Sequence, residues 1–458
     1  MVKTVYKKLS SSIIEGTASV LDDEGKGIVF SKDFGTLFVP GLLPSEKGLI
    51  RVYFDKKTHK GKECELVKRL TSSPLRVKPL CPYYEKCGGC TLMHLQYAEQ
   101  LKYKTKKVQD LIHKFASLDI EVKPCIGMDN PYRFRNKVQV PVKKIKGEAV
   151  TGFYENNSHH LIPSDDCLIE TEMTVGIINY IKKIFNKYKV EPYDEDRQTG
   201  FIRHILVKES RFYGEVMVVL VTASEEYEGK KNFIRLLTTR FPEIHTIVQN
   251  INPRKTNVIL GQKEIIWYGN GKIKDRIFDN DFLISARSFY QTNPLQTEKL
   301  YGLVIKDASL TGKEKVLDAY SGTGTIGMSL ARKAKEVTCV ELEKEAVADA
   351  KKNALINRLT NVRFVEDDCT RWILTNYEHE HFDVVVLDPP RKGTTEEFAS
   401  SVKKIHPDKV IYVSCNPVTL ARDLNYFKDM YKIDRVETVD MFPHTSHVET
   451  VALLTRTN

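Results

Sequence analysis

The amino-acid sequence predicts a multidomain α/β protein: a small β-domain, a mixed α+β domain, and a doubly wound α/β domain. Short β-rich runs separated by turn signals fill the first part of the chain. From about residue 282 onward, strand-like and helix-like stretches alternate, which is typical of a mainly parallel sheet covered by helices. The chain of 458 residues is long enough for several domains, which we place at 1–68, 75–280 and 282–458.

The composition is that of an ordinary folded protein, with 41% hydrophobic and 28% charged residues. Lys and Arg number 70 against 60 acidic residues, a net charge of +10, which fits a nucleic-acid partner and equally a metabolic enzyme. The N-terminus lacks the apolar core of a signal peptide, and the apolar run Val216–Val221 is too short to span a bilayer. We therefore expect a cytoplasmic protein with no membrane association, whose nine cysteines are ligands, nucleophiles or core residues.

The first domain, 1–68, is predicted from the runs ASVLDDEGKGIVF, TLFVPGLLPSEKGLIRVYFDKK and GKECELVKRL. Their length and turn residues favour a small β-barrel of the oligonucleotide-binding (OB-like) type. The segment resembles the TRAM domain found on RNA-modifying enzymes. A small β-domain with a purely structural role is the alternative.

The central domain, 75–280, opens with a predicted helix from about Gln96 to Ala116 and continues with strand-like runs such as EVMVVLVTA. Ahead of the helix stands CPYYEKCGGC, which places three cysteines close together, with glycines that permit tight turns. This is a strong signal for a metal site, and both zinc and an iron–sulfur cluster accept four cysteines. The three cysteines are Cys81, Cys87 and Cys90. The preferred fourth ligand is Cys167, and Cys125 is the alternative.

The C-terminal domain, 282–458, contains VLDAYSGTGTIG, a strand that runs into a glycine-rich turn and a helix. Such a turn, with Glu341 at the end of the next strand to hold ribose hydroxyls, serves either a dinucleotide or S-adenosylmethionine. A later strand ends in Asp388-Pro389-Pro390, and Asp318 stands just ahead of the glycines. Both features are typical of methyltransferases and favour S-adenosylmethionine over NAD.

A cysteine stands at another strand-to-helix junction, in SCNPVT. Asn416 is a good N-cap, and Pro417 suits the first helical position. Cys415 should therefore precede a helix N-terminus, whose partial positive charge lowers the pKa of a thiol and suits a nucleophile. A core-filling role is the alternative. A thiolate that adds to carbon 6 of a pyrimidine makes carbon 5 nucleophilic enough to accept a methyl group, after which a base must remove the carbon-5 proton.

The segment FPHTSHVETVALL supplies the residues that could act as this base. They are Glu449, His444 and His447.

Taken together, these motifs resemble the S-adenosylmethionine-dependent RNA uracil-5-methyltransferases, most closely the branch that modifies 23S ribosomal RNA. The motifs are CPYYEKCGGC, SFYQTNP, DAYSGTG, DPPRKG, SCNPVTLARDL and FPHTSHVETVALL, and the resemblance covers essentially the whole chain. It implies a Rossmann-like class I methyltransferase domain. It also implies Cys415 as nucleophile and Glu449 as proton acceptor.

The same resemblance implies two further sets of residues. S-adenosylmethionine would be held by Gln291, Tyr320, Glu341 and Asp388. A 4Fe-4S cluster would be held by Cys81, Cys87, Cys90 and Cys167. The stretch Asn130–Lys137 could contact RNA, and the target base should leave its stack to reach Cys415. An RNA cytosine-5-methyltransferase and a non-catalytic RNA-binding iron–sulfur protein are the alternatives, and no obligate protein partner is inferred.

Overall fold

This computed structural model describes residues 10–55, 61–156, 158–255 and 258–457, which group into two compact units. Unit 1 comprises the described residues of Met1–Lys107 with Phe153–Ile162 and Phe442–His447. Unit 2 comprises those of Val108–Gly152, Pro163–Met441 and Val448–Asn458. The division into three domains made from the sequence stays a prediction. Across these ranges no helix is both long and apolar enough to cross a membrane.

Unit 1 contains a five-stranded antiparallel sheet of order β3-β2-β1-β4-β5. Its strands are β1 (Ser10–Leu21), β2 (Gly27–Ser31), β3 (Gly35–Val39), β4 (Lys47–Phe54) and β5 (Gly61–Arg69). The start of β1 pairs with β4 and its end with β2, so one long strand serves both halves of the sheet. Ala18, Val29, Leu37, Ile50 and Val52 fill its core. The predicted β-structure is confirmed here, and the OB-like TRAM barrel stays a prediction.

The next part of the chain forms a seven-stranded sheet. Its strands are β6 (Lys137–Ile145), β7 (Glu148–Tyr154), β8 (Leu161–Pro163), β9 (Ile202–Glu209), β10 (Val216–Thr222), β11 (Ile244–Ile251) and β12 (Lys263–Tyr268). The order is β12-β11-β10-β9-β6-β7-β8, with every residue of β10 buried. The helices of this part are α1 (Tyr97–Ala116), α2 (Glu172–Lys187) and α3 (Lys230–Arg240). A hairpin of β13 (Lys272–Ile277) and β14 (Asn280–Ser285) follows.

The C-terminal part is the doubly wound sheet that the sequence predicts. Its strands are β15 (Lys315–Ala319), β16 (Glu336–Glu341), β17 (Val362–Glu366), β18 (Val384–Leu387), β19 (Lys409–Ser414), β20 (Tyr431–Val439) and β21 (Glu449–Arg456). Its helices are α4 (Pro294–Ala308), α5 (Thr325–Ala331), α6 (Lys344–Ile356), α7 (Cys369–Asn376), α8 (Glu396–Ile405) and α9 (Pro417–Leu424). The order is β17-β16-β15-β18-β19-β21-β20, which gives a Rossmann-like, doubly wound fold.

The first five strands of this sheet in chain order are parallel, and the chain reverses its direction of winding at β15. β15 pairs with β16 on one side and with β18 on the other. In open α/β sheets, ligands bind outside the carboxyl ends of the strands at such a reversal. The fold therefore places a binding crevice after β15 and β18.

Candidate active site

The predicted site residues of this sheet meet at its carboxyl edge. Each ends or directly follows a parallel strand, in chain order: Tyr320, Glu341, Asp388 and Cys415. β21 runs antiparallel to β19, and Thr450 pairs with Ser414. Glu449, the first residue of β21, therefore lies at the same edge as the end of β19.

The turn between β15 and α5 requires glycine at two positions. Gly324 has φ = 75°, and a Cβ there would lie 2.9 Å from Cε1 of Phe364. A Cβ at Gly327 would lie 2.4 Å from Sγ of Cys339, closer than two such atoms can approach. These glycines let α5 begin directly against the sheet.

Asp318 holds this turn from inside the sheet. Its Oδ2 accepts a hydrogen bond from the Gly327 N–H at 2.8 Å, whereas its Oδ1 has no hydrogen-bond partner among the described residues. Burial raises the pKa of Asp318 to about 7, and the charges of Asp388 and Glu341 add to this increase. Negative charge at this edge is thus poorly compensated, which favours a positively charged ligand.

Glu341 is shaped to hold a ligand. Its Oε2 accepts the Gly322 N–H and its Oε1 accepts the Glu343 N–H, each at 2.9 Å. Each carboxylate oxygen has two lone pairs, so both oxygens keep acceptor capacity for ribose hydroxyls. The structure fits the predicted role, which stays a prediction.

Gln291 reaches the same region through a residue that sequence reasoning missed. Its side chain lies beside the hydroxyl of Tyr301, a buried residue of α4. That hydroxyl also lies 2.9 Å from Oγ1 of Thr325, the first residue of α5. Gln291 therefore lies near the residues that contact the helix starting at the glycine turn.

Tyr320 adopts a backbone conformation that is unusual for a residue with a side chain, with φ = 60°. Its N–H donates to Sγ of Cys369 at 3.2 Å, and its hydroxyl lies 3.2 Å from Oγ1 of Thr394. The sequence predicts Cys369 and Cys339 as core or incidental residues, and both are buried. Cys369 does more than fill space, because it holds the backbone of Tyr320.

Cys415 lies where the sequence places it. Asn416 caps α9 by accepting the Val418 N–H at 3.2 Å, and Pro417 is the first helical residue. The predicted lowering of the thiol pKa is wrong for the protein alone. Burial, followed by the negative charges of Glu449 and Asp388, raises the pKa of Cys415 to about 11, against the helix terminus.

Glu449 is buried, with 7% of its surface exposed, so it is not a solvated residue ahead of a strand. Burial and the charge of Asp388 raise the pKa of Glu449 well above its usual range, while the charge of Arg391 opposes this increase. Burial also raises the pKa of Asp388 to about 7. The one cation among the principal charges acting on Cys415 and Glu449 is Arg391, which sequence reasoning missed although it stands in the DPPRKG motif.

The two histidines considered as bases belong to unit 1, whereas Glu449 belongs to unit 2. His444 is buried, and its N–H donates to Oε1 of Gln100 at 3.0 Å. His447 is exposed, with its ring against Phe442. Glu449, which is buried and begins β21 at the sheet edge, stays the predicted proton acceptor.

The cysteine cluster is not assembled as a metal site in the part of the chain that the structure describes. No group of three or more His, Cys, Asp or Glu side chains there could hold a metal ion. Cys81, Cys87 and Cys90 lie in unit 1, whereas the preferred fourth cysteine, Cys167, lies in unit 2 together with buried Cys125. One feature does suit a thiolate, because the Gly89 N–H donates to Sγ of Cys87 at 3.4 Å.

The basic stretch Asn130–Lys137 uses one arginine internally. Arg133 Nη1 donates to Oδ1 of Asp166 at 2.7 Å and to the carbonyl oxygen of Cys167 at 2.9 Å. Arg133 therefore fixes the segment that carries Cys167, and RNA contact by this stretch stays a prediction.

Known proteins resemble this chain over nearly its full length. Residues 96–457 match the family described as tRNA (Uracil-5-)-methyltransferase. A protein of Halalkalibacterium halodurans, named as an uncharacterized RNA methyltransferase, is 42% identical over 97% of each chain. One of Listeria innocua with the same description is 42% identical over 99% of this chain and 100% of its own. The solved structure of Pyrococcus abyssi tRNA (uracil-54, C5)-methyltransferase in complex with S-adenosyl-L-homocysteine has a TM-score of 0.76 and 29% identity, covering 96% of this chain and 100% of that one.

Proposed function

Because the chain belongs to the tRNA (uracil-5-)-methyltransferase family, we propose that it transfers a methyl group from S-adenosylmethionine to carbon 5 of uracil in RNA. The observation that carries this proposal is the placement of Cys415 and Glu449 at one sheet edge, close enough for their charges to interact. Tyr320, Glu341 and Asp388 lie at the same edge and are proposed to hold the cofactor with Gln291.

The charge of the edge suits S-adenosylmethionine. The cofactor would supply an electrophilic methyl group on a positively charged sulfur. Burial raises the pKa values of Asp318 and Asp388, and the charges of Asp388 and Glu341 raise that of Asp318 further. A cation bound here would lower the pKa of every acid group around it, which favours binding of a cationic ligand over a neutral one.

In the proposed mechanism, the Cys415 thiolate adds to carbon 6 of the uracil and the carbon 5–carbon 6 double bond opens. Carbon 5 is then nucleophilic enough to take the methyl group, whose bond to the cofactor's sulfur would break with the electron pair staying on sulfur. Glu449 removes the proton from carbon 5, the double bond forms again, and the thiolate leaves carbon 6. Once sulfur is bonded to carbon, it no longer carries the negative charge that disfavours ionisation of Glu449.

Two variants test this order of events. Cys415→Ala should bind RNA but form no covalent species, because carbon 5 is never activated. Glu449→Gln should methylate once and stall with RNA bonded to Cys415, giving a slow band on a denaturing gel that the double variant lacks. Rapid turnover by Glu449→Gln without this band would assign proton removal to another group.

We further propose 23S ribosomal RNA as the substrate. Its support is the resemblance of the motifs together with the β-rich N-terminal segment, proposed to be a TRAM-type RNA-binding domain. Transfer RNA is the second candidate, because the Pyrococcus abyssi protein that this chain resembles over 96% of its length is a transfer-RNA enzyme. Mass mapping of 5-methyluridine in both RNAs, from cells with and without the protein, decides between them. Methylated cytosine in either RNA would favour the cytosine-5 alternative.

We also propose that Cys81, Cys87, Cys90 and Cys167 hold a 4Fe-4S cluster, supported by the N–H bond to the sulfur of Cys87. Protein purified without air should be brown and contain iron. Cys167→Ser should lose iron, whereas Cys125→Ser, which changes the competing cysteine, should keep it. A colourless protein with stoichiometric zinc would overturn the iron assignment, and iron lost only with Cys125→Ser would change the fourth ligand.

A further inference from the structure

The loop that follows β18 is tied along helix α9, whose first turn comes directly after Cys415. Nδ2 of Asn416 donates to the carbonyl oxygen of Arg391 at 2.9 Å. Farther along α9, Nη2 of Arg422 donates to the carbonyl oxygen of Lys392 at 2.9 Å. The backbone of Arg391 is thus fixed by the residue next to the thiol.

A buried carboxylate, Asp423, completes this attachment. Its Oδ2 accepts the Thr394 N–H at 2.8 Å and the hydroxyl of Tyr412 at 2.7 Å, and its Oδ1 accepts Nε of Arg422 at 2.7 Å. Asp423 has none of its surface exposed. The loop approaches so closely that a Cβ on Gly393, where φ is 76°, would lie 2.4 Å from Oδ2. Only glycine permits this approach without displacement.

The fixed loop carries one positive charge that acts on the thiol. The charged groups that act on Cys415 come from three elements: Glu449 on β21, Asp388 at the end of β18, and Arg391 on the loop. Arg391 alone among these three is cationic, and it also acts on Glu449. Lys392 is the next residue, is also exposed, and is not among the principal charges acting on the thiol.

We propose that Arg391 stabilises the Cys415 thiolate and that Asp423 is the positioning residue that keeps Arg391 there by holding the loop against α9. The proposal deepens the mechanism above, because it rests on Cys415 acting as the nucleophile. It assigns a function to Asp423, which touches no reacting atom.

The test uses the reactivity of the thiol in the full-length protein, without RNA or cofactor. Iodoacetamide is attacked by the thiolate, which forms a sulfur–carbon bond and releases iodide. Mass spectrometry of the peptide that contains Cys415 gives its alkylation rate separately from the other cysteines. Arg391→Gln should slow this rate roughly two- to fivefold at pH 8, the range expected for one exposed charge, and shift the rate–pH profile to higher pH. Lys392→Gln is the matched control and should leave both unchanged.

Asp423→Asn should also slow alkylation of Cys415. The double variant with Arg391→Gln should be alkylated no more slowly than Arg391→Gln alone, because Asp423 acts through Arg391. Asp275→Asn is the control for loss of a buried carboxylate, because Asp275 Oδ1 also accepts one hydroxyl and one backbone N–H, both at 3.0 Å. It should not change the rate.

Equal slowing by Lys392→Gln, or an unchanged profile in Arg391→Gln, overturns the role of Arg391. Additive slowing in the double variant overturns the role of Asp423. These outcomes are distinct from a failure of the proposed function. That failure would appear as full methylation activity in Cys415→Ala.

Discussion

Replacing Glu341 with Ala tests the cofactor position most directly. The carboxylate is held by the N–H groups of Gly322 and Glu343, at 2.9 Å each, so its orientation is set before a ligand arrives. Hydrogen bonds to a charged group contribute about 1.5–3 kcal/mol each. Loss of even one bond to a ribose hydroxyl should therefore weaken binding of S-adenosyl-L-homocysteine at least roughly tenfold. Isothermal titration calorimetry measures the change.

The matched control is Glu343→Ala, which removes a carboxylate of the same charge from the same loop. Glu343 is exposed, and its side chain does not cap α6. The Glu343→Ala variant should bind S-adenosyl-L-homocysteine with nearly the affinity of the unmodified protein. If Glu341→Ala remains folded and binds equally well, or if both variants lose affinity equally, the assignment of Glu341 to the ribose is incorrect.

Two further predictions concern stability. Gly327→Ala places a Cβ against Sγ of Cys339 and should lower the free energy of unfolding by about 1–3 kcal/mol. Gly302→Ala, in open space within α4, should raise the free energy of unfolding by about 0.5–1 kcal/mol. Equal effects of the two variants in urea denaturation would contradict the packing argument. For Asp318, folding raises the carboxyl pKa from 3.8 to about 7, so the unfolded chain ionises first and the stability contributed by this group falls as pH rises between these values. Asp318→Asn should show a smaller loss of stability between pH 5 and pH 7, and an equal loss would show that other groups cause it.

Local sequence was sufficient for the parts of the site that depend on neighbouring residues. Alternating apolar stretches and turn residues predicted the strands of the C-terminal sheet, and Asn416 and Pro417 predicted the start of α9. The carboxyl ends of parallel strands share one edge, so the positions of Asp388 and Cys415 followed from the order of the elements.

Only the tertiary structure decided the electrostatics. The prediction for the Cys415 thiol considered the helix that follows it, whereas burial and two carboxylates from other strands outweigh that helix. Asp423 and Arg391 are far apart in the sequence. No local pattern shows that the Asp423 side chain holds the loop that carries Arg391. The pKa of a group depends on the charges around it and on how deeply it is buried. Both are set by residues far apart in the sequence, which only the completed fold brings together.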